Sequence, residues 1–325
     1  MTPRLQRHPA IPHTVELLVP GRSYRSAGPP RLFGYATQDP GILSWLPDEL
    51  QRTAITCPDE YVIRLPRVYV VHGHYLFLSP DAALADTFDF DPERAGRPDM
   101  AEAATQIAAG EVAAHPAGGL PVFHLFKDIY YNYGHLLVEV LPKLLHIRRL
   151  GIDRFSLLYP WSALAYLPIV QHVATVLGLG FEPVVCYNNQ IMQADDVHWV
   201  GPVARHDRRK SQTLAELARC LTAVDPAEGG PRRLYVTRPP NALRPIPNHG
   251  ALETLARSAG YEVVDPAALS FPDQVRLFHG ADHVIGPMGA ALSNTVFMRP
   301  GTRVTMLTTR RVDPFYWDIA RLIGL

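Results

Sequence analysis

His135 and Glu139, in the run Asn132-Tyr-Gly-His-Leu-Leu-Val-Glu139, stand four residues apart. On a helix that spacing puts both side chains on one face near the N-terminus, where an imidazole or a carboxylate can take a proton from a hydroxyl. A cap with a local ion pair would look the same. Arg238 and Arg244 stand six apart around Pro239 and Pro240, in a loop that ends at Asn248. Guanidinium forks at the carboxyl end of a strand suit a diphosphate, although solvated surface arginines carry the same signature. His283-Val-Ile-Gly-Pro-Met-Gly-Ala-Ala-Leu-Ser-Asn294 joins a β-branched strand to a helix through Gly286 and Gly289, with Ala290 and Ala291 following. Small residues there let free backbone N–H groups approach an anion, ordinarily a phosphate; the competing reading is a turn whose glycines serve packing alone. The segment fits neither G-x-G-x-x-G nor the P-loop, which disfavours a dinucleotide or ATPase site. Asp89-Phe-Asp91 has the Asp-x-Asp form that holds a divalent cation on sugar diphosphates, but no strong strand leads into it and a solvated acidic loop is the better reading. Asp195-Asp196 is a weaker candidate, and His72, His74, His115 and His124 have no metal-ligand spacing, so no metal ligand is assigned.

The elements that must position these residues follow from the apolar pattern. Val122–Phe126 reads as a strand, and 133–150 as a helix with Leu136, Leu137, Val140, Leu141, Leu144 and Leu145 on one side and a bend at Pro142. Strands at 155–159 and 183–187 enclose a helix at 169–177, so this part alternates as a parallel sheet with crossover helices. A helix at 213–224 leads to Pro226, Gly229, Gly230 and Pro231, which mark a domain boundary. Beyond it come strands at 233–237, 262–264, 283–285 and 302–307, with helices at 250–259, 272–279 and 289–297 and a last one from Asp313. That is a compact doubly wound domain. The expected fold is α/β, with an N-terminal domain over 1–225, irregular across 1–60, and a C-terminal domain over 226–325.

With 325 residues, two domains are expected, each able to bury its own core. The 31 basic and 31 acidic residues cancel, so no overall field attracts nucleic acid, and an anion must be bound by a local cluster. No apolar run approaches the ~20 residues of a membrane span, and the first thirty residues hold no signal-peptide core. Three widely separated cysteines, Cys57, Cys186 and Cys220, point to a reducing compartment. A cytoplasmic chain is expected, with peripheral membrane association left open.

Three blocks of the second half carry a resemblance: Tyr235-Val-Thr-Arg238 with Arg244, Ile246 and Asn248; Gly260 to Phe271 with Gln274; and Ala281 with Val284-Ile-Gly286 through Gly289-Ala-Ala-Leu-Ser-Asn294. With Asn132-Tyr-Gly-His135 and the following Leu-Pro-Lys, they make residues 130–310 similar to glycosyltransferase family 61, which includes bacterial capsular-polysaccharide proteins and eukaryotic xylosyl-, arabinosyl- and N-acetylglucosaminyltransferases. The resemblance implies a GT-B fold, two Rossmann-like domains facing across a cleft, with the donor in the C-terminal one. It also implies inverting, metal-independent transfer from a nucleotide-sugar, UDP-linked in the first instance, to a glycan or polysaccharide hydroxyl, with no further cofactor. Two residues depart from the family: Met288 stands where a His usually precedes Gly-Ala, and His249 where an acidic residue commonly follows the Asn. GT-B chains often close with a helix packed back on the first domain, whereas this chain stops at Leu325 inside a predicted helix.

On this reading Arg238 and Arg244 clamp the donor diphosphate at the helix start Gly289-Ala290-Ala291, and Asp265 to Leu269 contact base or ribose through backbone. His135 or Glu139 takes the acceptor proton, with Asp128 and Lys127 next in line. The rival from another class is a non-catalytic sugar-nucleotide-binding or assembly protein, which Met288 and His249 favour. Donor sugar, base, acceptor, linkage and oligomeric state have no signature in the sequence.

Overall fold

The computed structural model describes residues 2–7, 13–25, 30–31, 33, 48, 51–115, 118–204, 210–224, 233–238, 246–308 and 313–325. Its contacts divide the chain into two compact units, Met1–Pro20 with Asp59–Arg205 and Gly21–Pro58 with His206–Leu325. The division falls ahead of the 225/226 boundary read from the sequence, because the helix before it buries Leu214, Leu217, Ala218 and Leu221 within the second unit. Gly21–Pro58, read as part of an irregular start, also belongs to the second unit.

In chain order the strands are β1 (Arg4–Gln6), β2 (Thr14–Val19), β3 (Ser23–Arg25), β4 (Ala54–Thr56), β5 (Glu60–Val71), β6 (Tyr75–Ser79), β7 (Ala82–Leu84), β8 (Ala113–Ala114), β9 (Val122–His124), β10 (Arg154–Pro160), β11 (Gly180–Cys186), β12 (Met192–Val200), β13 (Arg233–Val236), β14 (Glu262–Val264), β15 (His283–Pro287) and β16 (Arg303–Leu307). The helices used below are α1 (Pro98–Ala109), α2 (Leu167–Val176), α3 (Gln212–Val224), α4 (His249–Ser258), α5 (Phe271–Gly280) and α6 (Pro314–Ile323).

The first unit is built on a ten-stranded sheet in the order β1-β7-β6-β5-β12-β9-β10-β11, with β2 beside β5 and β8 beside β12. Only part of it is the parallel βαβ arrangement expected: β9, β10 and β11 run parallel, with α2 crossing between the last two. The rest is mixed: β12 runs parallel to β9 and β8, and β1 to β7, whereas β6 is antiparallel to β7 and β5 to β2, β6 and β12, the last from Met192↔Val70 to Val200↔Val62. A doubly wound first domain is therefore corrected to a mixed sheet. The β5–β12 face carries Ile63, Leu65, Val68, Val197 and Trp199 into one core, while Asp195 and Asp196 on the same ladder ion-pair with Arg67 and Arg64 at the surface. α1 covers another part of the sheet with Met100, Ala103, Ala104 and Ile107 and stops at Gly110, whose φ of 75° is the left-handed cap glycine accommodates.

The second unit holds a four-stranded sheet in the order β14-β13-β15-β16, parallel throughout, as the alternation of the sequence predicts. α4 covers one face, where Leu252, Ala256 and Tyr261 meet Tyr235, Val263, Ile285 and Leu307. A Cβ on Gly286 would stand 2.9 Å from Val236 Cβ. Gly286→Ala is accordingly expected to cost about 1–3 kcal/mol in denaturant unfolding, and an unchanged midpoint would show that the sheet yields freely. The helix expected at 289–297 is a 3-10 helix, Ala290–Phe297. β3 and β4 pair with each other, and the segment is tied down by Cys57 Sγ, which donates to the Lys210 carbonyl at 3.3 Å, and by Arg321 Nη1, which donates to the Arg52 carbonyl at 3.4 Å. None of the three cysteines is in a disulfide, and no helix among the described residues is long and apolar enough to cross a membrane.

Candidate functional site

In the second unit the strand order reverses direction between β13 and β15, since β14 lies outside β13 while β16 continues beyond β15. Open α/β sheets bind ligands in the crevice that such a reversal opens at the strands' carboxyl ends. Arg238 lies there, two residues past β13, and Nη1 donates to the Met288 carbonyl at 2.9 Å. Its guanidinium lies against Gly289, where a Cβ would stand 3.1 Å from both Cζ and Nη1. Glycine at 289 thus makes room for a guanidinium beside the start of the 3-10 helix, where Ala290 and Ala291 are half-buried.

A polar network adjoins it. Thr237 Oγ1 is 3.1 Å from His249 Nε2 and donates to Glu253, whose Oε1 is 3.0 Å from the same imidazole nitrogen. Hydrogen bonds from Thr237, with His249 and Arg257 nearby, hold the Glu253 carboxyl below its ordinary range. A groove of about 430 Å³ runs past the end of β14, lined by Glu262, Val264, Asp265, Leu269, Asp273, Arg276 and Leu277.

The first unit presents a buried ionic cluster where β9 leads into the helical run 133–149. Lys127 Nζ is 2.8 Å from Asp89 Oδ2 and 2.8 Å from Glu139 Oε2, and Glu139 Oε1 is 3.1 Å from His135 Nδ1. The Lys127 and Glu139 side chains are 2% and 1% exposed, so their charges meet with almost no solvent screening. Burial alone would lower the Lys127 ammonium, but Glu139 and Asp89 together hold it above its ordinary value. The helical run begins with Asn132, whose side chain accepts the Gly134 N–H at 2.9 Å. It passes through a π stretch, Leu136–Val140, that contains Glu139, and through a 3-10 turn at Pro142 where the sequence predicts a bend. Ile129, two residues past Lys127, has φ 63°, a conformation that strains a β-branched residue.

A family model for glycosyltransferase 61 matches residues 133–305, just over half of the chain. The chain belongs to glycosyltransferase family 61. No curated protein matches it in sequence. The match takes in both the switch-point crevice and the His135–Glu139 pair, as the resemblance implied, and leaves Asp89, Lys127 and Asp128 ahead of it.

On this glycosyltransferase, the residues singled out by sequence fall in several places. His135 and Glu139 are in contact, and Arg238, Met288 and Gly289 converge at the crevice. Asp265 and Leu269 line the β14 groove, with Asp265 accepting the Ala267 N–H at 3.1 Å. Three others are taken up elsewhere: Gly286 is packed on Val236, Asn294 is fully buried with its amide on Gln274 Oε1 at 2.8 Å, and Asn248 is exposed ahead of α4. Arg244 lies outside the described residues. The Asp-x-Asp pair is engaged, Asp89 by Lys127 and Asp91 by Arg97 at 2.7 Å. Among the described residues no three His, Cys, Asp or Glu side chains gather as a metal site.

Sequence reasoning did not single out Glu253, and its reading of Asp89 as part of a solvated acidic loop is corrected, since that side chain is 10% exposed and paired with Lys127. Asp128, next to Lys127, accepts the backbone N–H groups of Phe90 and Asp91 at 2.9 Å each, yet burial pushes its carboxyl up to about 7. A carboxyl that binds its proton more tightly when folded makes stability fall as pH rises from about 4 to about 7. Asp128→Asn should lack that part of the slope. Unfolding midpoints at pH 5 and pH 8 check it, and an identical slope in both proteins would show that the carboxyl ionises normally.

Proposed function

We propose that this glycosyltransferase moves a sugar from a UDP-linked donor to a glycan or polysaccharide hydroxyl, with inversion, without a metal, and in the GT-B manner with the donor on the second unit. The observation that carries the reading is Arg238 beside Gly289 at the switch point, a fixed cation at the start of a helix in the crevice where α/β sheets bind ligands. The diphosphate lies there, and Asp265 and Leu269 in the β14 groove serve the ribose or base.

In the reaction the acceptor hydroxyl loses its proton to the base and its oxygen attacks the anomeric carbon as the bond from that carbon to the diphosphate oxygen breaks. Arg238 and the N–H groups of the 3-10 helix stabilise the charge gathering on the leaving diphosphate, the task a divalent cation performs elsewhere. Arg244 and Asn248 remain part of the proposed donor loop.

A melting-temperature screen with UDP-, GDP-, CMP- and dTDP-sugars tests the donor class, because a ligand of the native state must raise the midpoint. A rise with UDP-sugars alone supports the reading; no rise with any of them, or one confined to another base, overturns the donor. Transfer that EDTA abolishes and Mg²⁺ or Mn²⁺ restores would overturn metal independence. The second reading is a binder without turnover. It is favoured by Met288, which is 4% exposed and supplies no proton-bearing group at the crevice, and a donor-induced rise with no transfer or hydrolysis would select it.

A further inference from the structure

Of the five Phe, Tyr and Trp side chains that stand open to solvent among the described residues, four belong to one corner of the first unit: Tyr131, Trp161, Tyr187 and Phe90, at 64, 52, 47 and 45% exposure. The first three follow the carboxyl ends of the adjacent parallel strands β9, β10 and β11. Trp161 and Tyr187 come directly after Pro160 and Cys186, which are paired across β10 and β11, so their backbones leave the sheet one strand spacing apart, about 4.8 Å. Tyr131 is tied to them through the 3-10 turn Trp161–Tyr166, where Tyr166 Oη donates to the Tyr131 carbonyl at 3.0 Å and Ser162 Oγ hydrogen-bonds with Tyr130 Oη. The turn between β5 and β6 braces the other two connections. A Cβ on Gly73 would stand 3.0 Å from the Cys186 carbonyl oxygen and 3.4 Å from Pro160 Cα, and His72 Nδ1 is 2.9 Å from the Asn188 carbonyl oxygen. Phe90 is held to the connection after β9 by its N–H, which donates to Asp128 Oδ2 at 2.9 Å, and its ring lies edge-on to His135 with 6.3 Å between centroids.

We propose that Tyr131, Trp161 and Tyr187 form a stacking platform for an uncharged oligosaccharide, the acceptor chain of the transfer, whose reacting end lies by Phe90 and His135. The inference rests on the reading of this protein as a transferase to a glycan hydroxyl. Rings gathered in water mark an interaction surface, and the chemistry around them selects its occupant. The flat side of a pyranose presents C–H hydrogens of partial positive charge, which lie against the electron-rich face of an aromatic ring. The segments that carry the three rings, 129–132, 161–166 and 187–190, contain no charged residue, so nothing there calls for a phosphate, a sulfate or a uronic acid. Tyr187 is followed by Asn188, Asn189 and Gln190, all exposed, and their amides both donate to and accept from sugar hydroxyls. The platform stands at the same strand ends from which the helical run bearing His135 departs, so a chain laid on it is continuous with the proposed base.

The full-length chain labelled with fluorotryptophan, its Trp161 signal assigned through Trp161→Phe, is titrated with xylohexaose, cellohexaose and hexagalacturonate in a fluorine NMR experiment, and affinities are taken from calorimetry. A neutral hexasaccharide is expected to move the Trp161 signal and to bind more tightly than the uronate. Tyr131→Ala, Trp161→Ala and Tyr187→Ala should each weaken that binding by about 3- to 10-fold, and Trp161→Phe, which keeps a ring, by less. Melting midpoints should stay in place because the rings are exposed, which separates lost binding from lost folding. An unmoved Trp161 signal with both neutral chains, native affinity in all three alanine variants, or tighter binding of the uronate overturns the inference. A native dimer that Trp161→Ala splits, with no hexasaccharide bound, overturns it in favour of a contact between copies. UDP release from UDP-N-acetylglucosamine, UDP-xylose or UDP-arabinose separates this inference from the reading beneath it. Hexasaccharide binding without release leaves the platform and removes the transfer, whereas release with an unmoved Trp161 signal removes the platform alone.

Discussion

Replacing His135 with alanine is expected to lower turnover by about 10²–10⁴-fold, the usual scale of a general base, while leaving affinity for the sugar nucleotide nearly unchanged. The separation of the two effects follows from the residues themselves, since His135 contacts Glu139 in the first unit and the proposed donor ligands Arg238 and Gly289 belong to the second. Turnover is read as UDP release or sugar transfer under saturating donor, and affinity from the shift of the melting midpoint with donor concentration. Glu139→Gln should cost less than His135→Ala, because the amide still fills the space beside Nδ1 but no longer balances a charge on the ring. The reverse order, with rate restored by azide only in Glu139→Gln, would make Glu139 the base. Near-normal turnover in both folded variants would assign the pair to structure.

The second large effect is expected from Arg238→Ala, which should weaken donor binding by about 10- to 100-fold, the loss of a charge-assisted contact of roughly 1.5–3 kcal/mol. Turnover should fall further than binding if the guanidinium grips the leaving diphosphate more tightly than the ground state. Stability should change little, because the side chain is only half-buried. Calorimetric titration with UDP checks the affinity, and equal affinities in variant and native protein would return Arg238 to the solvated surface.

How much of this could be read beforehand differs between the two units for a physical reason. In the second, short apolar strands alternate with helices, β14 pairs with β13 and β16 with β15, each directly after its partner in the chain, and the strand at 262–264 was placed to the residue. In the first, β5 finds its partner in β12 more than a hundred residues on, and nothing local in either segment announces that ladder. α1 escaped notice because its buried face is made largely of alanines, which leave a shallow periodic pattern. The His135–Glu139 pair was visible because four residues of helix join it, whereas the cation beside it was not, since Asp89 and Lys127 meet only through the fold. The 3-10 winding of Ala290–Phe297 was likewise hidden, as its apolar residues fit an α-helix equally well.

The assignment of Gly21–Pro58 to the second unit sets an order of events during synthesis. This segment leaves the ribosome ahead of Asp59–Arg205, yet its partners in the second unit, Lys210 and Arg321 among them, are made last. At about 5–20 residues per second, the β3–β4 segment waits roughly ten to fifty seconds for the chain that covers Ile55 and Cys57. During that interval the first unit has its own residues complete and can close around the gap in its sequence. Until then Ile55 and Cys57, buried in the finished protein, lack the Lys210 and Arg321 groups that hold their segment.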